Sequence, residues 1–239
     1  MINEKRFEEL YNRAFEHSYV TYSEFLNLEE QSILHSACLP CVKYGGYPQA
    51  ERIIAAFGEN PNTLNFPISV LEISPANKKF ADMLTHRDFL GALMSLGIKR
   101  ELIGDIIVSD NTGYVFCLIK IKDYIKENLT RMKRTTVRIS EIESLPANIL
   151  TEHETRELIV SSIRIDAVIC AVYKLSRSNA AELFAKEKVF VNSRKETNIS
   201  YKLKENDIIS VRGFGRFIFS GEIRTTKKDR QVIQIQIYK

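Results

Sequence analysis

"KLSRSNAAELFAKEKVFVNSRK" (residues 174–195) changes rhythm midway. Ala180, Leu183 and Phe184 fall at helical spacing, whereas Val189 and Val191 alternate as in a strand. The stretch therefore reads as a short helix, a tight turn and a strand in immediate succession. It also carries six Lys or Arg against two Glu. A basic run is often only a solvated face, so the charge has to be weighed against the rest of the chain.

The net charge of +4 over 239 residues is unevenly spread: residues 156–239 carry a net +8 and residues 1–155 a net −4. A basic third on an otherwise acidic chain is the footprint of a local polyanion site. With 44% hydrophobic and 27% charged residues the chain reads as an ordinary globular protein. Its apolar runs fall far short of the ~18 residues a membrane helix needs. "MINEKRFEEL" has no apolar core of a secretory signal, so the expected compartment is the cytoplasm, with no membrane partner. Of the four cysteines, Cys38 and Cys41 form a lone "CLPC", and Cys117 and Cys170 lie in apolar runs. No second CxxC or HxxxH completes a four-ligand zinc site, so neither a metal nor another cofactor is expected.

Three parts are expected. Residues 1–66 read as a helical unit. Phe7, Leu10, Tyr11, Ala14 and Phe15 make one apolar stripe, "TYSE" (21–24) reads as a capping box, Pro48 as a first-turn proline, and "QAERIIAAF" (49–57) as a helix. Residues 67–144 have strand and helix signals in the order βαββαβ, a ferredoxin-like or RRM-like middle domain. Its strands are "ISVLEIS" (68–74), "DIIVSD" (105–110), "GYVFCLIK" (113–120) and "TTVRISEI" (135–142), with helices over 78–97 and 123–133 and a hairpin turn at "NT". Tyr114 and Phe116 share one strand face, as RNA-stacking aromatics would, but read as packing residues. "LPANILTEHETRE" (145–157) reads as a polar linker. Residues 156–239 then give two helices and four strands, completing an α+β chain.

The basic third resembles the S4 (αL-type) RNA-binding domain through "RID" (164–166), "LSRSNA" (175–180), "KVFVN" (188–192) and "NDIISVRG" (206–213). Ser176 is placed to cap the second helix, so Arg177 and Ser178 fall in its first turn, where free amides and a guanidinium make a phosphate seat. The resemblance implies an RNA-facing surface drawn from Arg164, Lys174, Ser176, Arg177, Ser178, Lys186, Lys188, Asn192, Arg194, Lys195, Arg212 and Arg216. Asp166 is expected to tether its helix start. Many members carry Gly where Glu187, Ser193 and Asn206 stand here, and Glu187 sets a negative charge beside that surface.

Across nearly the whole chain, "YGGYPQAER" (44–52), "THRDFLGALMSLGIKRELIGDI" (85–106) and "VRGFGRF" (211–217) resemble the YlmH family of bacterial S4 proteins. The resemblance implies a non-enzymatic factor that binds the large ribosomal subunit, through ribosomal RNA, together with transfer RNA, in rescue and quality control of stalled ribosomes. Genes of the family often neighbour cell-division genes, which leaves a division scaffold as an alternative. The other alternative is an RNA-modifying enzyme or its subunit. "RID" mimics the "RLD" of pseudouridine synthases, yet only 73 residues follow Asp166, too few for a synthase domain. No GxGxxG supports a methyltransferase, and the nucleotide-binding motifs of a tyrosyl-transfer-RNA synthetase are absent. His86-Arg87-Asp88 lacks the companions of a kinase "HRD". No catalytic residue and no small-molecule substrate are therefore expected.

Overall fold

The stripe at Phe7, Leu10 and Ala14 becomes the buried side of helix α1 (Glu4–Glu16). The computed structural model describes residues 4–59, 66–146, 149, 153–226 and 229–238. The chain is α+β and divides into two compact units, Met1–Leu150 and Thr151–Lys239.

In the first unit, α1 is followed by β1 (Thr21–Tyr22), α2 (Leu28–Ser36), β2 (Val42–Tyr44) and β3 (Ile54–Phe57), with the strands in the antiparallel order β1-β3-β2. This start is not purely helical. The expected helix over 49–57 is strand β3, because its apolar residues alternate between two covering layers. Ile53, Ala55 and Phe57 pack with α1 and α2, while Ile54 joins Phe25 and Phe116 on the other side. No helix opens at Pro48 either. Thr21 is no cap: its hydroxyl donates to Leu10 O at 2.8 Å. The capping box sits at Asn27, whose Oδ1 accepts from the amides of Glu29 and Glu30, while the Glu30 carboxylate accepts from Asn27 N.

The same unit continues with β4 (Ile68–Pro75), a 3₁₀ turn (Lys78–Phe80), α3 (His86–Ser95), a second 3₁₀ turn (Arg100–Leu102), β5 (Ile103–Ser109), β6 (Thr112–Leu118), α4 (Ile119–Asn128), β7 (Arg131–Met132) and β8 (Thr135–Ile142). The expected βαββαβ order is present, with the small strand β7 added. The strands pair antiparallel in the order β5-β6-β4-β8-β7. The hairpin turn is Asp110-Asn111, both left-handed at φ 47° and 64°, one residue earlier than "NT". The long helix expected over 78–97 is broken. The amides of Asp82 and Leu84 are taken by Thr135 Oγ1 and Asn111 Oδ1 at 2.8 and 2.6 Å, so the loop is held by its neighbours and not by helical carbonyls.

Both faces of this sheet are covered. Leu71, Ile73, Val115 and Cys117 pack against Phe89 and Leu93 of α3 and Ile125 of α4. On the reverse face Val70, Tyr114, Phe116 and Leu118 pack against Phe25 and Ile54. Gly46, at φ 101°, permits that closure, since a Cβ there would collide with the Phe116 ring.

In the second unit the elements are β9 (His153–Val160), α5 (Ile165–Tyr173), α6 (Arg177–Ala185), β10 (Val189–Val191), β11 (Arg194–Lys195), β12 (Ile208–Val211), β13 (Gly215–Thr225) and β14 (Gln231–Tyr238). One antiparallel sheet runs β11-β10-β12-β13-β14-β9. The linker expected over 145–157 ends sooner than read: from His153 the backbone is already strand β9, paired with β14 along its whole length. Residues 147, 148 and 150–152 of that stretch lie outside the described residues. Ile165, Val168 and Ile169 of α5 and Ala180, Leu183 and Phe184 of α6 bury one sheet face with Val189, Val191, Ile209, Val211 and Phe217.

Candidate nucleic-acid interface

Helix α6 starts where Ser176 adopts an extended backbone (φ −70°, ψ 159°) and its Oγ accepts from Asn179 N at 3.1 Å. The cap fixes Arg177 and Ser178 as the first two helical residues. Ser178 Oγ lies 2.9 Å from Ser176 Oγ, so both hydroxyls line the same rim. The Ser176 carbonyl receives the Ala180 amide. The amides of Arg177 and Ser178 have no acceptor among the described residues. Lys174, left-handed at φ 53°, closes α5 immediately before this rim. The end of α5 and the start of α6 thus bring together two cations, two hydroxyls and two open amides. Such a helix start favours an anion.

Arg164 and Asp166 meet at the start of α5. The guanidinium grips the carboxylate as a fork, Nε to Oδ1 at 3.0 Å and a terminal nitrogen to Oδ2 at 2.9 Å. Asp166 is therefore held as a structural partner, and Arg164, read as RNA-facing, spends one side of its fork on it. Backbone bonds fix the same corner: Ile165 N donates to Tyr201 O and Leu203 N to Ile163 O.

The remaining candidates sit on the strands. Phe190 pairs with Lys195 and Ser210, and Ser210 with Arg216, so these four share one sheet face. Val191, Ile209 and Phe217 point the other way, into the helix-covered core. Arg212 N donates to Lys188 O, and the Arg212 guanidinium lies 5.2 Å from the Phe190 ring centroid, which sets both residues beside that face. The candidates thus divide between the helix starts (Arg164, Lys174, Ser176, Arg177, Ser178) and the outer sheet face (Lys188, Lys195, Arg212, Arg216). Lys186, at the end of α6, pairs with Glu182 one turn back. Arg194 pairs across from Val191.

Two candidates are engaged in ways the residue order does not reveal. Lys195 Nζ donates to Glu187 Oε2 at 2.7 Å. Asn192 is left-handed at φ 50°, and its amide uses both ends internally: Nδ2 donates to Asp207 Oδ1 at 2.8 Å and Oδ1 accepts from Ile208 N at 2.9 Å. The buried Asp207 also accepts from Tyr201 Oη and Lys204 N. The available signal for this knot was "ND" at 206–207, a turn pair, which names no partner at residue 192.

In the first unit, "YGGYPQAER" and the 85–106 stretch converge on Asp105. Its carboxylate accepts from Tyr47 Oη at 2.7 Å, Glu51 N at 2.7 Å and Arg52 N at 3.0 Å. The buried Arg52 guanidinium donates to the carbonyls of Phe25 and Ile103. Burial lowers the Arg52 pKa, and burial with Arg52 nearby brings Arg100 down to about 10. Asp88 of "HRD" is bound by Lys133 and Thr85, which hold its carboxyl down at about 2. These groups pin loops to the sheet.

Residues 61–145 match the family described as "Putative RNA-binding domain in YlmH". Over 216 residues the chain is 32% identical to "Ribosome-associated protein quality control protein P2" of Bacillus subtilis (strain 168), spanning 87% of this chain and 83% of that protein. A solved structure, "Cell division protein ylmH from Streptococcus pneumoniae", is similar at a TM-score of 0.46 and 23% identity, covering 58% of this chain and 87% of that chain. Among the described residues no helix is long and apolar enough to cross a membrane.

Proposed function

Because the chain belongs to the YlmH family, we propose that it is a non-enzymatic protein that binds structured RNA and acts in the cytoplasm on stalled ribosomes. Its partners are ribosomal RNA of the large subunit together with transfer RNA, and its main contact is the S4 domain, residues 156–239. Residues 1–66 and 67–144 are the accompanying parts. The ribosome-associated name of the Bacillus subtilis relative and the RNA-binding description of the matched family support this reading.

The observation that carries it is the start of α6. The open amides of the first turn and the Ser176 cap lie there beside the exposed Arg177, in a third of the chain that carries net positive charge. A phosphate seated at that point gains charge-assisted bonds without reorganising the helix. An enzyme using "RID" would need Asp166 available for chemistry, whereas its carboxylate is committed to Arg164.

The test is co-sedimentation with purified large ribosomal subunits over a salt series. Arg177→Ala should weaken binding by roughly tenfold or more, the effect of losing one charge-assisted bond of ~1.5–3 kcal/mol. If about five phosphates are neutralised, the log–log salt slope should lie near −4. Unchanged binding by Arg177→Ala, or a flat salt response, would overturn the assignment. Asp166→Asn should lower stability and leave the modified nucleotides of ribosomal RNA intact.

A further inference from the structure

We propose that the loop between β4 and α3 is a second RNA contact, taking single-stranded RNA by stacking a base on Phe80 with phosphates against the cations around it. The proposal rests on the RNA-binding reading above and assigns a surface within the matched segment 61–145. An RRM-like sheet binds RNA with aromatic side chains on its open face. Here that face is closed: Tyr114 and Phe116 are 8% and 0% exposed beneath Phe25 and Ile54. Any RNA reaching this part of the chain must use other groups.

Phe80 and Met83 are the most exposed large apolar side chains among the described residues, both at 79%. A single exposed apolar residue needs no explanation. This pair differs in being presented by a loop that is clamped in place. Asp82 N donates to Thr135 Oγ1, Asn111 Nδ2 to Asp82 O, Leu84 N to Asn111 Oδ1 and Lys133 Nζ to Met83 O. A rigid backbone displaying two apolar side chains to water is preorganised for a contact.

The surrounding charge selects the partner. Lys78 and Lys79 immediately precede Phe80 and have no carboxylate partner among the described residues, and Lys79 Nζ lies 5.7 Å from the Phe80 ring centroid. Arg134 is 86% exposed while it reaches Asp82 at 3.3 Å, and Lys133 bonds Asp88 at 2.7 Å. The two acids are 22% and 19% exposed, so the outward charge of the patch is cationic. An aromatic face framed by Lys and Arg is the arrangement that holds single strands with little sequence preference.

The chain has no tryptophan, so Phe80→Trp makes a sole tryptophan reporter, excited selectively over the tyrosines, in the full chain. Titration with a 12-nucleotide single-stranded RNA of mixed sequence should quench that tryptophan with near wild-type affinity. Phe80→Ala should weaken binding by roughly fivefold or more at an unchanged melting temperature. The Lys78→Glu, Lys79→Glu double variant should flatten the log–log salt slope by at least ~1.4. If the tryptophan is not quenched and Phe80→Ala binds as wild type while Arg177→Ala does not, this surface is wrong and the S4 reading stands. If the chain binds neither this RNA nor large ribosomal subunits, both fall together.

Discussion

Glu187 accepts the Lys195 ammonium at 2.7 Å from a backbone held in the left-handed region at φ 52°. Ser193 and Asn206 are left-handed as well, at φ 63° and 67°. The S4 resemblance leads one to expect Gly at these three positions. The fold keeps a left-handed geometry there and places side chains on it, at a conformational cost of about 1 kcal/mol for Glu187 and Ser193 and less for Asn206.

For Glu187→Gly we therefore expect a stability that is unchanged or higher by about 1 kcal/mol, because relief of the left-handed strain outweighs an exposed ion pair. The same change takes one negative charge away from that surface, so RNA affinity should rise at low salt. Thermal unfolding and filter binding check both halves; a lower melting temperature contradicts the strain argument.

Phe116→Ala should destabilise the first unit by about 3–5 kcal/mol, the usual cost of deleting a buried aromatic. Binding to large ribosomal subunits, measured below the melting temperature and corrected for the folded fraction, should not change. A lost affinity at full stability would mean that this face meets RNA after all.

Asp207→Ala removes the buried acceptor shared by three donors: Asn192 Nδ2, Tyr201 Oη and Lys204 N. We expect a loss of about 1–3 kcal/mol. Asn192→Ala should lose a comparable part, and the double variant less than the sum, since both changes break one knot. Urea unfolding of the four proteins measures the coupling.

Asp88 bears on acid stability. Its carboxyl is held at about 2 against an ordinary 3.8 by Lys133 and Thr85. A depressed carboxylate stabilises the fold in full above its unfolded pKa and loses that contribution as the pH falls through its folded one. The stability difference between wild type and Asp88→Asn should be level from about pH 5 to 8 and shrink between about pH 4 and 2. A difference that vanished already at pH 6 would assign the effect to another group.

Much of this fold was legible from alternation and turn chemistry. Strands β4, β6 and β8 follow apolar alternation or long apolar runs, and helix α6 follows from Ser176 and the Ala180, Leu183, Phe184 spacing. The misreading of Ile54–Phe57 has a physical cause: all four residues are buried, and a short strand covered on both sides has no polar face to betray its period. The break before α3 was signalled by "THRD", in which Asp88 accepts from Thr85 N, but the apolar residues downstream drew the helix too far back. Candidate residues at caps and turns could be placed from local chemistry. Their partners, such as Asp207 for Asn192, come from elements that only the fold brings near, so their engagement was not legible.

The shared cluster of Phe25, Ile54, Tyr114 and Phe116 also bears on inheritance. Residues 61–145 are recognisable as a family module, yet their sheet is finished by side chains encoded before residue 60. Passed alone to another protein, the module would arrive with one sheet face bare, an apolar patch of the kind that drives self-association. Gene rearrangement that keeps this module must therefore carry its amino-terminal neighbour with it.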